Sequence, residues 1–402
     1  MTFKTIDDLN VNGKVVLLRA DLNVPQTDGM VTDTTRIDRL RPTIDKLKKE
    51  KAKIVILSHF GRPNGEKNTD YSLSFIIPVL EKIWETPVLF ADDCIDDTAK
   101  MMIARMGESD VLLLENVRFH AGEEANDPAF TKQLAVLGDV FVNDAFSAAH
   151  RAHASTEGLA HHLPSAAGLM MEAELNALQN ALEAPQKPVA ALVGGSKIST
   201  KLSVLNNLVQ KVDYLVLGGG MANTFLLAQG HNIGKSLCES DMLDEANRIA
   251  QTAKDNNCEI VLPIDCVVVE DLGAGVPYQT VTLDHFPDTM SAIDIGEQSI
   301  AHIEGILDQC KTVLWNGPMG VFEIKPFDRG TNAIAEKVAA LTQRGRLVSV
   351  AGGGDTVSAL ENAKVIKDMT YVSTAGGAFL EWLEGKTLPG VAALMTAQSK
   401  AA

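Results

Sequence analysis

IVILSHFGR (54–62) and LVLGGGM (215–221) decide the fold between them. Each opens on a short run of β-branched and other apolar residues with nothing polar inside it. Unbroken apolarity in so short a segment means burial on both faces, as for a strand inside a parallel sheet. The pattern recurs at 15–18, 111–114, 140–142, 189–193, 260–262, 313–315 and 347–350. Between many of these runs lie helix-like stretches. In the first of them, Ile37, Leu40, Ile44 and Leu47 are spaced by three and four and share one helical face. Alternating strands and helices predict an α/β fold with right-handed crossovers, whose ligands sit at the carboxyl ends of the strands.

The two segments differ in the residues just beyond the strand. Up to about residue 152 the apolar runs lead into RADLN, SHFGR, ENVRF and NDAFSAAHR, and eight of the twelve arginines lie at or before Arg151. Beyond it they lead into glycines: LVGGSK, LVLGGGM, VLWNGPMG, VSVAGGGDT and YVSTAGGA. Two halves with different ligand-facing ends agree with the length, because 402 residues exceed the ~100–200 of one domain. The boundaries are placed at 170/171 and 387/388, with the tail 388–402 packing on the first domain. At the join, Leu175, Leu178 and Leu182 form a helical stripe entered at Gly168 and ended by Pro185 and Pro188. It reads either as a helix bridging two domains or as one more crossover helix in a single large sheet.

Composition narrows the class. Hydrophobic residues make up 46% and charged residues 22% of the chain, a globular balance. A formal charge of −16 repels polyanions, which argues against nucleic acid or an anionic membrane as a partner. The five scattered cysteines form no Cys-x-x-Cys pair and point to a reducing compartment rather than a disulfide framework or zinc site. The N-terminal stretch carries no secretory pattern, and no apolar run nears the ~18 residues of a membrane span, so a cytoplasmic protein is expected.

In the first half, Arg36, Arg62, Arg118 and Arg151 with His59, Asp21 and Asn23 form an expected pocket for a small, multiply charged acid. Guanidinium groups grip carboxylate and phosphate oxygens in bidentate forks; taken singly, each arginine reads better as a surface ion-pair partner. His120, His150, His153, His161 and His162 are irregularly spaced and are not expected to hold a metal. In the second half, glycines let backbone amides approach phosphate oxygens. Two named nucleotide motifs fail. IGKS has Gln229 and EGKT has Leu380 where a Walker A loop needs its first glycine, and Asn223 and Val357 break the dinucleotide fingerprint. Lys197 and Lys201 are four apart and would share a helical face turned to phosphates. Asp355 reads as a Mg²⁺ ligand or as a helix N-cap. Together these features point to a small-molecule kinase. The rivals are a catalytically silent scaffold on the same fold and a dehydrogenase, the latter disfavoured by the missing fingerprint.

RADLNVP, SHFGRP, LLENVRF, NDAFSAAHRAHAST, LGGGMANTFL, LWNGPMGVFE and AGGGDT, collinear from residue 15 to about 390, resemble the phosphoglycerate kinase family. The resemblance implies two Rossmann-like three-layer α/β/α domains with parallel-sheet cores, separated by a cleft, joined by a hinge helix and closing during turnover. It implies a monomer that reversibly transfers a phosphoryl group from 1,3-bisphosphoglycerate to ADP, giving 3-phosphoglycerate and ATP, with Mg²⁺, in glycolysis and gluconeogenesis. Carried over, the acid-binding set is Asp21, Asn23, Arg36, His59, Arg62, Arg118 and Arg151. The nucleotide set is Lys201, Asn316, Glu323, Gly353, Gly354, Asp355 and Thr356, with Asp355 on the metal. Arg36, Lys197, Lys201 and the amides of Gly376 and Gly377 would surround the phosphoryl group in flight. The chain departs from the family pattern at Ala375, in STAGGA for STGGGA, and at Ser147 and Ala148, in NDAFSAAHR for NDAFGTAHR.

Overall fold

A computed structural model describes residues 3–395. The chain divides into two compact units: one holds the residues up to Leu175 together with the segment from Thr387, the other Asn176–Lys386. Each is built on a six-stranded parallel sheet.

In the first unit the strands lie in the order Val88–Ala91, Val111–Leu114, Lys53–Leu57, Val15–Arg19, Val140–Asn143, Ser165–Ala167. The expected double burial is explicit along Val15–Arg19. Val16 and Leu18 pack into one layer with Ile37, Leu40, Ile44 and Leu47 of the helix Thr35–Lys49. Leu17 points the other way, into a layer with Ile103, Phe130 and Leu134. A strand buried on both faces tolerates no polar side chain until it ends, so the chemistry collects just beyond its carboxyl end.

In the second unit the order is Glu259–Val261, Tyr214–Gly218, Val189–Gly194, Thr312–Asn316, Val348–Gly352, Tyr371–Ser373. Both sheets reverse their winding beside the first strand of the unit. The switch points fall between Val15–Arg19 and Val140–Asn143, and between Val189–Gly194 and Thr312–Asn316. Carboxyl-end crevices at such points are where open α/β sheets bind ligands.

Three departures from expectation concern the join and smaller elements. The helix there runs Leu169–Leu178 and continues as a wider π turn over Gln179–Glu183, so Leu182 leaves the α-helical register although Leu175, Leu178 and Leu182 are all buried. Gly168 is a close-packing residue rather than a flexible entry: a Cβ there would lie 2.3 Å from Asp144 Cγ. Asp144 accepts hydrogen bonds from Thr43 Oγ1 (2.6 Å) and Met171 N (2.8 Å), tying the strand end to the start of the helix. An antiparallel sheet, with Asp265–Val269 between Gln279–Thr282 and Ser291–Ile295, adds to the second unit. At the C-terminus, Gly390 N donates to Ala149 O and Met395 bridges to Phe3, while 396–402 of the anticipated tail lie outside the described residues. No helix among the described residues is long and apolar enough to cross a membrane.

Candidate active site

The first unit gathers its cations at the switch point. Arg36 Nη1 lies 2.9 Å from both carboxylate oxygens of Asp21 and donates to Asn23 O at 2.8 Å. Asn23 Oδ1 accepts from Gly61 N (3.0 Å), fixing the turn after Lys53–Leu57. Asp21 Oδ2 also accepts from Ser147, so the serine standing at one departure from the family pattern adds a polar anchor to the carboxylate.

His59 is buried, and Arg19 Nη2 lies 2.9 Å from its Nδ1. Guanidinium only donates, so Nδ1 accepts, the imidazole is neutral, and its proton sits on Nε2, where it can be donated to a ligand. Burial, then the charges of Arg19, Arg118 and Arg36, hold the imidazole well below the usual histidine range, in agreement. Arg118 donates to Gly61 O at 2.9 Å. Its Nε is 3.1 Å from Glu124 Oε1 but misaligned, leaving an ionic contact and a buried N–H without a hydrogen-bond partner. Burial lowers Arg118, and Arg151 and Arg62 lower it further. Arg62 is exposed and unpaired among the described residues, and Arg151 Nε donates to His150 Nε2 at 3.2 Å. Arg118 thus feels the charges of Arg62 and Arg151, and neutral His59 those of Arg19, Arg36 and Arg118, a crowding of positive charge that an anion relieves.

Sequence reasoning missed the support beneath this set. Arg19 is fully buried and donates to Ser155 Oγ (2.8 Å) and Ala20 O as well as to His59. Glu123, equally buried, accepts from Ser155 Oγ (2.6 Å) and N (2.9 Å). Arg19 closes a strand and Glu123 lies in the short helix Ala121–Glu124, 104 positions later, so only the fold makes them neighbours.

At the second unit's switch point, Lys201 Nζ donates to Gly194 O (2.7 Å), Asn316 O (2.9 Å) and Asn316 Oδ1 (2.6 Å). It spans the two strands at which the winding reverses. Burial lowers its pKa to about 8, against the opposing pull of Asp355. Lys197 does not share a helical face with it: the α-helix begins at Leu202, after a 3-10 turn over Ser199–Lys201, and exposed Lys197 precedes both.

Asn316 Nδ2 donates to Gly352 O (2.8 Å), and Gly317 N donates to Thr356 Oγ1 (2.7 Å). Gly353 has φ +97°, and a Cβ there would lie 2.6 Å from Asn316 Nδ2, so the position requires glycine. The helix Gly354–Asn362 is N-capped at Gly353 without a side-chain bond. That removes the capping reading of Asp355, whose exposed carboxylate makes no hydrogen bond or ion pair among the described residues. Asp355 and exposed Glu323 line a cavity of about 560 Å³ with Gly195, Gly219, Gly220 and Leu237. Gly376 and Gly377 open the helix Gly376–Leu383. The N-cap, Ala375, has φ −99°, ordinary for any L-residue, so alanine fits where the family pattern has glycine.

A cluster of arginines at the strand ends of one parallel sheet and a glycine-lined cavity bearing two exposed carboxylates, Asp355 and Glu323, on the other are the features expected of a small-molecule kinase. The phosphoglycerate kinase family model matches residues 6–386. A phosphoglycerate kinase of Rhodospirillum centenum is 59% identical over 98% of this chain and 100% of that one. One of Sinorhizobium fredii is 58% identical over 97% and 98%. Among solved structures, phosphoglycerate kinase from Coxiella burnetii superposes with a TM-score of 0.91 at 42% identity, covering 98% of this chain and 99% of that one. The chain belongs to the phosphoglycerate kinase family, and its reaction is that family's: phosphoryl transfer between a phosphoglycerate carboxyl group and a nucleotide, in glycolysis.

Proposed function

We propose that this chain converts 1,3-bisphosphoglycerate and ADP to 3-phosphoglycerate and ATP, reversibly and with Mg²⁺, using the two sites described above. The observation that supports it best is the crowding of positive charge, Arg36 and Arg118 acting on neutral His59 and Arg62 and Arg151 on Arg118, with Arg118 Nε–H unsatisfied. Such a pocket is incomplete until it receives a compact polyanion. Asp21 and Asn23 would orient Arg36 and the acid's hydroxyl, His59 Nε2–H and the arginines would hold its phosphate, and Arg36 would remain close to the acyl end.

The nucleotide is assigned to the 560 Å³ cavity that Glu323 and Asp355 line, with Lys201, Asn316, Gly353, Gly354 and Thr356, outside that lining, assigned to it as well. Asp355 fits a Mg²⁺ ligand because its carboxylate neither caps its helix nor pairs with a cation. When bound, Mg²⁺ supplies charge neutralisation on the transferring phosphate oxygens.

No general base is needed, since in the ATP-forming direction both the attacking phosphate oxygen and the leaving carboxylate are anions. The protein's task is positioning and positive charge around a loose transition state. Arg36, Lys197, Lys201 and the amides of Gly376 and Gly377 are assigned that role. Lys201 has all three protons engaged at the strand ends, so it exchanges at least one of these partners for a phosphate oxygen. Closure of the two units about the intervening helix is part of the proposal. Small-angle scattering should register compaction with both ligands present, and an unchanged radius of gyration would count against it.

We place the protein in the cytoplasm, in keeping with five free cysteines, and take it as a monomer from the family resemblance alone. The deciding experiment is a coupled assay of ATP-dependent 3-phosphoglycerate phosphorylation with Mg²⁺, and folded protein without activity would overturn the assignment.

A further inference from the structure

Among the described residues, one group of three potential metal ligands stands apart from the residues assigned above. The ligand atoms of Asp93, Cys94 and His120 all lie within 4.8 Å of one another. We propose that these three side chains form a binding site for a thiophilic divalent cation, represented by zinc, with a fourth coordination position open to water. Tetrahedral zinc, about 2.0–2.3 Å from each ligand, holds its ligands roughly 3.3–3.8 Å apart. The observed limit of 4.8 Å exceeds that by about 1 Å, the distance that side-chain rotation has to close on binding.

The site is partly organised already. His120 Nε2 lies 3.3 Å from Asp93 Oδ1, and Asp93 Oδ1 accepts from Ile95 N at 2.9 Å, which fixes the carboxylate. The imidazole stacks on Phe130, ring centroids 5.2 Å apart and planes 28° from parallel. Gly122 permits that packing, because a Cβ there would sit 2.7 Å from Phe130 Cβ. Cys94 is fully buried, whereas Asp93 and His120 are each about a quarter exposed, which leaves the outer position to solvent.

The donor set selects the metal. Thiolate and imidazole suit zinc and its transition-metal neighbours, and Mg²⁺ prefers oxygen alone, so this site is chemically distinct from Asp355. Burial and the nearby carboxylates Asp93, Glu123 and Glu115 keep the free thiol protonated and inert. On binding, a metal–sulfur bond replaces the S–H bond and the proton leaves to solvent. His120 is the N-cap residue of Ala121–Glu124 and lies two positions beyond Arg118, so a cation there ties the acid-binding segment to residues 93–95. Occupancy should therefore change KM for the acid and not for the nucleotide. In the sequence, 26 positions separate His120 from Cys94, and no spacing rule joins them.

The test titrates metal-free protein with Co²⁺ in the absence of nucleotide and follows the near-ultraviolet thiolate-to-cobalt charge-transfer band. One equivalent should develop the band, Zn²⁺ should abolish it, and a large excess of Mg²⁺ should not. Cys94→Ser should remove the band, and Asp93→Asn should weaken binding by at least ~10-fold, the loss typical of even a supporting group. Cys238→Ser, at a half-buried cysteine outside the group, should leave it intact. Absence of the band in folded wild-type protein, or its survival in Cys94→Ser, overturns the proposal.

Discussion

Lys201 should make the stability of its unit rise with pH in a way that one substitution erases. Its folded-state pKa of about 8 lies below the ordinary lysine value of 10.5, because burial disfavours the ammonium. The unfolded chain therefore binds the proton more tightly, and between pH 8 and 10.5 the folded protein gains stability as pH increases. At ~1.4 kcal/mol per unit the whole window amounts to about 3 kcal/mol, a penalty fully present below pH 8. Lys201→Met removes this penalty and also the hydrogen bonds to Gly194 O, Asn316 O and Asn316 Oδ1. Methionine does not titrate, so the difference in slope between the two proteins isolates the lysine, including the one hydrogen bond its ammonium gives up with its proton. Urea unfolding at several pH values, with Trp84→Phe in both proteins, leaves the buried Trp315, beside Asn316, and Trp382 to report on the second unit. Wild type should gain up to about 3 kcal/mol relative to the variant as pH rises through the window. Nucleotide affinity of wild type should weaken over the same range as the ammonium is lost. Parallel stability curves would refute the reasoning.

Arg36→Ala should lower kcat by ~10²–10³-fold, the cost of losing one group aimed at transition-state charge, while nucleotide Kd stays within about 2-fold; unchanged kcat refutes the role. Asp355→Asn should fold normally, since the side chain neither caps nor pairs, and should need about 10-fold more Mg²⁺ for half-maximal rate; a wild-type metal titration excludes it as ligand. Gly353→Ala should lose ~1–3 kcal/mol in thermal or urea unfolding, because φ is +97° and Asn316 Nδ2 blocks the new methyl; an unshifted midpoint would show the loop can relax.

The parallel sheets were legible because double burial imposes an unbroken apolar run, and all nine such runs became strands. Other strands were less legible. Val88–Ala91 (VLFA) and 266–269 (CVVV) also carry unbroken apolar runs, although Leu89 of the first, on an edge strand, is exposed, and Ser165–Ala167 is too short and small to register as apolar. Of the outer strands of the antiparallel sheet, Gln279–Thr282 has no buried residue and Ser291–Ile295 includes a buried aspartate, Asp294, so neither reads as continuously apolar.

Site residues divide along the same physical line. A group proposed to face a ligand at the sheet's edge has to stand at a strand end, within the few residues after an apolar run, and Asp21, His59, Arg62 and Asp355 stand there. The groups that hold them in place obey no such rule. Glu123 reaches Arg19 through Ser155, and Asn316 receives Lys201 from 115 residues away, because tertiary packing chooses the partner for a buried charge. Lys197 and Lys201 illustrate the limit most directly. Four-residue spacing implies a shared face only where the helix exists, and here it begins at Leu202, beyond both lysines, freeing Lys201 to turn inward to the sheet while Lys197 remains in solvent.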